Sequence, residues 1–320
     1  MIERDPVQLV ALAQSGSRTA LARLLTYVES GGPHQRAAAA LAYAEPAPYT
    51  VGLTGAPGAG KSTLTDRLIS TALARGSFAG ASAFHDVGVL CVDPSSPFTG
   101  GAILGDRIRM QDHATNEHVF IRSMATRGHL GGLSLAVPDA LRVLGAAHFT
   151  LAFVETVGVG QMEVDIASAA DTTIVVTNPG WGDSMQANKA GLLEVADIFV
   201  INKADRAGVR ETRRDLDQML DLGGAHEWRP PILETVASTD AGTEELWDAI
   251  VTHRQFLEDG RLASHRRAQM RTELDKVLAV MMRSRIRALA HGDAYDAQID
   301  ALLAGATDPY RAAEALLSES

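Results

Sequence analysis

Three groups of residues have the types and spacing to act on a nucleotide. The first is GAPGAGKS, Gly55 to Ser62. A polyphosphate carries several negative charges that must be met without a wall of side chains. Glycines let successive backbone N–H groups turn toward one centre, and a helix N-terminus adds the positive end of its dipole. Gly55, Gly58, Ala59 and Gly60 supply that backbone, Lys61 an ammonium for the β- and γ-phosphates, and Ser62 a hydroxyl for Mg²⁺, with Thr63 next in the binding set. The motif has meaning only between a strand and a helix. The apolar run Tyr49–Thr54 precedes it and TLTDRLISTALARG follows, so the order is right for a Walker A loop.

The second group is NKAD, Asn202 to Asp205, closing the apolar segment DIFVINK about 140 residues later. A guanine presents a ring N1–H and an exocyclic amine, and one carboxylate accepts from both in bidentate fashion. Asp205 is placed for that role. Asn202 can steady the loop and meet the base edge, and the stem of Lys203 can cover the ring. In TVAS, Thr235 to Ser238, the backbone of Ala237 and Ser238 is the expected contact for the guanine O6. The pairing of the two motifs favours GTP over ATP.

The third group is a set of acids where apolar segments end. Glu155 closes HFTLAFVE and opens ETVGVGQ, where an acid holds Mg²⁺ and Gly158 senses the γ-phosphate. Asp93 closes VGVLCVD and suits the Mg²⁺ shell. Asp106, in the glycine-bearing stretch GGAILGDRIRM, is a further candidate for metal binding and catalysis. Lys61, Glu155 and Asp106 form the expected catalytic set, and Ser62, Asp93, Asp106 and Glu155 the expected metal set. Val159 follows Gly158 where Ras-like enzymes carry a water-orienting glutamine, and Gln161 lies two positions further on. Intrinsic hydrolysis is expected to be slow until something else completes the site. Arg107 and Arg109 are compatible with surface charges or with phosphate contacts. IRSMATRGHLGG, Ile121 to Gly132, reads as a phosphate- or partner-facing loop with Arg122, Arg127 and His129 exposed. PGWGDSMQANKAG, Pro179 to Gly191, reads as a mobile loop carrying Trp181, Asp183, Gln186 and Lys189.

The elements that must position these groups follow an α/β pattern. Seven apolar strand candidates begin at YTVGLT and continue through VGVLCVD, HVFIRSM, HFTLAFVE, TTIVVTN, DIFVINK and PPILETVA. Apolar on both faces, they predict a mostly parallel, doubly wound sheet with ligands at the strand C-termini. Residues 1–48 read as a helical extension, 49–260 as the nucleotide domain and 261–320 as a helical arm. The stripe Leu274, Val277, Leu278, Val280, Met281 and Ile286 either packs back on the sheet or pairs with a second copy.

The 320 residues carry a formal net charge of -10, which offers no basic field for nucleic acid or an anionic membrane surface. No apolar run reaches spanning length, and MIERDPVQLV lacks the apolar core of a signal peptide. The single cysteine, Cys91, excludes an intrachain disulfide. A cytoplasmic enzyme is expected. Histidines 113, 118, 129 and 148 show no ligand spacing, and no zinc pattern is present.

Together GAPGAGKST, VDPSSPFTGGAILGDRIRM, RSMATRGHLGG, VETVGVGQ, NPGWGD and INKAD resemble the MeaB/ArgK/MMAA GTPases of the G3E group. The resemblance implies a SIMIBI-like P-loop NTPase acting as chaperone and gatekeeper for a coenzyme-B12-dependent acyl-CoA mutase, chiefly methylmalonyl-CoA mutase. It implies Mg²⁺, with GTP as substrate and GDP as product, and adenosylcobalamin held by the partner. By likeness 92–110 and 154–161 are switches, 178–191 signals to the mutase, and the helical tail makes a homodimer. Met162 and Met185 depart from the family pattern at positions that contact neither phosphate nor base. The alternatives are a metal-insertion GTPase of hydrogenase or urease type, which would want a Cys/His cluster, and a kinase linked to amino-acid transport.

Overall fold

The computed structural model describes residues 5–78, 86–93, 110, 113, 115–125, 132–156, 169–180, 195–222 and 227–318; for Asp93, Ala125 and residues 132–135 it describes the backbone alone. Seven strands form one parallel sheet among these residues: β1 (Tyr49–Gly55), β2 (Val87–Asp93), β3 (Val119–Ala125), β4 (Leu151–Thr156), β5 (Thr172–Thr177), β6 (Ile198–Asn202) and β7 (Ile232–Thr235). Their spatial order is β3-β2-β4-β1-β5-β6-β7. Each sequence-expected strand is present. Where ends differ, the turn chemistry explains it. His148 takes a positive φ of 68° and bonds back to Gly145, so HFT belongs to a turn and β4 begins at Leu151.

The strands are apolar on both faces because both faces are covered. β1, β4, β5 and β6 are buried along their whole length. Period-two alternation divides their side chains between two cores. Leu90, Val92, Ala152 and Val154 join one core with the helices α1 (Pro6–Gln14), α2 (Arg18–Ser30), α3 (Pro33–Ala42) and α5 (Gly132–Ala146). Val89, Cys91, Val51, Leu53 and Phe153 join the other. That second core includes α4 (Lys61–Arg75) and α7 (Thr243–Leu257), whose Leu64, Leu68, Leu246, Trp247 and Ile250 face it. The helix α6 (Val209–Leu222) closes a third cluster over β5 and β6 with Leu216 and Leu220.

The first three helices share the core of the sheet. Asp5 and Ser17 cap α1 and α2 through Val7 and Ala20. The face of α2 formed by Ala20, Leu21, Leu24, Leu25 and Val28 is buried. Polar contacts add direction: Arg18 donates to the Val119 carbonyl at 2.7 Å, and Arg122 pairs with Glu29 at 2.9 Å. This corrects the reading of Ile121 to Gly132 as one exposed loop. Residues 121–125 are β3, α5 starts at Gly132, and Arg122 faces α2. β3 is an edge strand, and a strand beside a helix edge accommodates an arginine paired to that helix.

The N-terminal ends of β1 and β5 carry a polar network. The Asp171 carboxylate accepts from the Thr50 amide at 2.9 Å and from Arg266 at 2.9 and 2.8 Å. Arg266 also donates to the Pro48 carbonyl, and Gln269 to the Ala170 carbonyl. Both belong to α8 (Arg261–Leu289), so its first three turns are fastened to the sheet. Beside them Tyr49, Thr172 and His253 form a hydroxyl–hydroxyl–imidazole chain at 2.6 and 2.9 Å, and His253 lies 3.3 Å from Asp197. The chain divides into two compact units between Gln269 and Met270. The second holds the remainder of α8, then α9 (Asp293–Leu303) and α10 (Pro309–Ser318). Among the described residues no helix is long and apolar enough to cross a membrane.

Burial raises the Asp197 carboxyl from 3.8 to about 6 and lowers the His253 imidazole from 6.5 to about 4. The signs oppose. His253 binds fewer protons folded than unfolded between about 4 and 6.5, so its contribution is lost as pH falls through that range. Asp197 binds more protons folded than unfolded between 3.8 and about 6, so its contribution is lost as pH rises through that range. Asp197→Asn keeps an acceptor for the Thr173 amide and removes the charge. Its stability relative to the unsubstituted protein should therefore rise as pH goes from about 4 to 6, by on the order of 1–2 kcal/mol, since the side chain keeps 26% of its surface in water. Urea unfolding across that window measures the difference, and a flat difference would reject the assignment.

Candidate functional site

The parallel arrangement brings the C-terminal ends of all seven strands to one edge. β1 lies between β4 and β5, so the loop that leaves it emerges where the strand order reverses, the place where such sheets bind ligands. Gly55, Gly58 and Gly60 have φ of 128°, 73° and 95°, a region that favours glycine. At two of them space matters as well. A Cβ on Gly55 would stand 2.0 Å from the Val176 carbonyl oxygen, and one on Gly60 would stand 2.3 Å from Asn202 Nδ2.

The loop is oriented by donors that hold its carbonyls. Lys61 Nζ donates to Gly55 O at 2.7 Å and to Ala56 O at 3.0 Å. Lys203 Nζ donates to Gly58 O at 2.6 Å, and Asn202 Nδ2 to Ala59 O at 2.8 Å. In a trans peptide the N–H points opposite to the C=O. Fixing Gly55 O and Ala59 O therefore fixes the N–H groups of Ala56 and Gly60 on the other side. A run of N–H groups turned one way is an anion cradle, and the N-terminus of α4 continues it.

Glu155 lies beneath this loop. Its backbone pairs with Leu53 on β1 and Cys91 on β2, and the side chain is 4% exposed. Ser62 Oγ donates to Glu155 Oε1 at 2.5 Å, while Thr65 Oγ1 stands 3.5 Å from Oε2 and bonds Lys61 O at 3.0 Å. The Ser62 hydroxyl points its hydrogen at the acid and keeps lone pairs for a cation, so the two groups fit Mg²⁺ as hard oxygen donors. Asp93 ends β2, beside β4, with its side chain outside the described residues. Asp106, Arg107, Arg109, Arg127, His129, Gly158, Val159, Gln161, Trp181, Asp183, Gln186 and Lys189 also lie outside them.

At the other end, Asn202 is 2% exposed and its polar atoms join three segments. Besides the bond to Ala59, its Oδ1 accepts from Thr235 Oγ1 and from the Ala237 amide, each at 3.1 Å. Lys203 has a positive φ of 59°, and the Ala204 amide bonds Thr235 O at 3.0 Å. Beyond that turn Asp205 and Ser238 are exposed and Ala237 is buried; Thr63 is exposed on α4. Sequence reasoning missed Thr65, Arg67 and Thr235. Thr235 closes a strand, as Asn202 does, and that shared position was the available signal. His113 packs on α4, 3.2 Å from Ser70 Oγ and 3.5 Å from Asp66.

The sequence matches the family described as "Methylmalonyl Co-A mutase-associated GTPase MeaB" over residues 21–291. A protein of Pyrococcus abyssi whose name gives it as a GTPase is 47% identical over 318 residues, spanning 98% of this chain and 96% of that one. GTPase ArgK of Escherichia coli is 38% identical over 269 residues, 80% of this chain and 78% of its own. A Mus musculus protein named "Methylmalonic aciduria type A homolog, mitochondrial" is 31% identical over 275 residues, 79% of this chain and 64% of its own. Among solved structures, one titled a LAO/AO transport system kinase superposes with a TM-score of 0.71 at 26% identity, covering 99% of both chains.

Gly60 is the position where loop shape and the Asn202 clasp meet. Gly60→Ala should weaken GDP binding by at least tenfold, since the new Cβ displaces Asn202 Nδ2 and strains a φ of 95°. Titration calorimetry alongside thermal unfolding checks this; unchanged affinity in a folded variant would contradict the clasp.

Proposed function

The chain belongs to the family of methylmalonyl-CoA mutase-associated GTPases, and from that premise we propose a Mg²⁺-dependent GTP hydrolase that serves as chaperone and gatekeeper of a coenzyme-B12-dependent acyl-CoA mutase. What supports the hydrolase half is the contact between Ser62 and Glu155 under the phosphate loop. What supports the mutase half is family membership, since nothing in the loop geometry selects a partner.

Lys61 exchanges the carbonyls of Gly55 and Ala56 for phosphate oxygens, and the cradle N–H groups take the remaining charge. Mg²⁺, when bound, neutralises charge that develops on the phosphates, and Ser62, Glu155, Asp93 and Asp106 are the residues proposed to hold it. Asp205 reads the N1–H and the exocyclic amine of guanine, and Gly58, Thr63, Gly158, Ala237 and Ser238 complete the nucleotide contacts. Val159 offers no group to orient water, so the isolated protein turns over slowly. Docking of the mutase completes the site through residues 92–110 and 178–191, and hydrolysis licenses transfer of adenosylcobalamin, which remains the partner's cofactor.

The test is GTP turnover with and without purified apo- and holo-mutase. Stimulation of tenfold to a thousandfold is expected, roughly 1.4–4 kcal/mol of barrier. Absence of stimulation by every acyl-CoA mutase of the same cell would reject the chaperone role.

The same reading includes a homodimer. Leu274, Leu278, Met281, Met282 and Ile286 are exposed along α8 at spacings that place them on one side of the helix. A twofold pair would bury them. Sedimentation of the full chain should show a dimer at micromolar concentration, and Leu278→Glu combined with Met282→Glu should shift it to monomer. A monomeric full-length protein would remove the arm reading.

A further inference from the structure

Ala237 is held through both of its peptide units, and by side chains from different elements. Its amide donates to Asn202 Oδ1 at 3.1 Å, from the end of β6. Its carbonyl accepts from Arg67 Nε at 3.2 Å. Arg67 lies on α4, five residues beyond the Ser62 hydroxyl and 170 residues away in sequence from the carbonyl it holds. The second peptide unit consists of the Ala237 carbonyl and the Ser238 amide. It is planar and trans, so capture of the carbonyl fixes the direction of the Ser238 N–H. With the Ala237 amide committed to Asn202, the Ser238 amide is the neighbouring donor that Arg67 orients.

We propose that Arg67 is a specificity-positioning residue: by holding the Ala237 carbonyl it aims the Ser238 N–H at the 6-oxo group of the purine. The proposal rests on the guanine reading and deepens it. Asp205 reads the donor side of the base, N1–H and the 2-amino group. The loop after β7 reads the acceptor at position 6; Asn202 and backbone bonds hold its ends, and Arg67 holds the peptide unit that carries the Ser238 N–H. A buried or half-buried donor–acceptor pair confers discrimination only when its geometry is fixed before binding. Because Arg67 sits on the helix that begins at Lys61, the phosphate end and the 6-oxo end of the site share one rigid element.

The two sides of the base can be read separately with analogues. IDP lacks only the 2-amino group that Asp205 reads. The diphosphate of 6-thioguanosine keeps N1–H and the 2-amino group but replaces the 6-oxo oxygen with a weaker acceptor. Affinities of GDP, IDP, ADP and 6-thio-GDP are measured by calorimetry for the full chain, for Arg67→Met and for Arg67→Lys. Arg67→Met should lower GDP affinity about tenfold, as expected for a lost charge-assisted contact. Its preference for GDP over 6-thio-GDP should fall toward one while the preference for GDP over IDP persists. Arg67→Lys, which keeps the charge without the planar donor, should lie between.

Unchanged preference for GDP over 6-thio-GDP in both variants overturns the proposal, whatever happens to absolute affinity. Collapse of both preferences together also overturns it, because that marks a tie between α4 and the loop with no particular aim. Equal affinity of the unsubstituted protein for GDP and ADP would instead remove the guanine reading, and this inference with it.

Discussion

The site depends on one geometric constraint: in a trans peptide the N–H and the C=O point in opposite directions. A nucleotide site built from backbone needs its N–H groups aimed, and the simplest handle is the carbonyl behind each one. Here Lys61, Lys203 and Asn202 take the carbonyls of Gly55, Ala56, Gly58 and Ala59. Asn202 does so with one end of its amide and anchors Thr235 and Ala237 with the other. One buried side chain therefore registers the ends of β1, β6 and β7 to one another. Glycine is required at Gly60, where Asn202 comes closest, and at Gly55, where the Val176 carbonyl of β5 does.

The opposite ends of the central strands carry a different solution. Asp171 gathers Thr50, Arg266 and, through Arg266, Pro48, so the N-terminal ends of β1 and β5 are fixed to the first turns of α8. The partners lie up to 218 residues apart in sequence. A carboxylate whose two oxygens meet an arginine fork and a backbone amide is compensated, which lets a charge sit buried just ahead of β5. β1 is thus pinned at both ends, by amide chemistry at the loop edge and by an ion pair at the other.

Much of this was legible in the sequence, and the reasons are local. Parallel strands covered on both faces read as apolar runs, so YTVGLT, TTIVVTN and DIFVINK stand out. Glycine-rich turns with a lysine and a serine have few other uses. Arg122 was not legible, because an arginine ahead of the run TRGHLGG looks like part of the loop, while its partner Glu29 lies on a helix more than ninety residues earlier. The first three helices likewise read as an appendage, since their short apolar faces do not announce Leu90, Val92 and Val154 as what they cover. The Asp171, Asp197 and His253 network left no trace: the two acids are single polar residues just before apolar strands, and His253 is one polar residue inside α7. Arg67 is similar: a lone helix arginine has no signature until the carbonyl it holds is known.

The strand register also gives a reason for glutamate at position 155. Its backbone is level with Leu53, two residues short of Gly55, where the phosphate loop begins. At about 3.3 Å per residue the acid starts some 6–7 Å below the loop. Ser62, which it must meet, opens the helix that follows the loop. The glutamate side chain reaches that hydroxyl at 2.5 Å. An aspartate on the same backbone would end about one carbon–carbon bond short, roughly 1.5 Å, beyond direct hydrogen-bond reach of the hydroxyl. Direct contact with Ser62, and the proximity of Thr65 to the second oxygen, tie the acid to the first turn of α4. The residue proposed to hold Mg²⁺ is therefore bonded to the helix that Lys61 begins, and a shift in either is felt by the other.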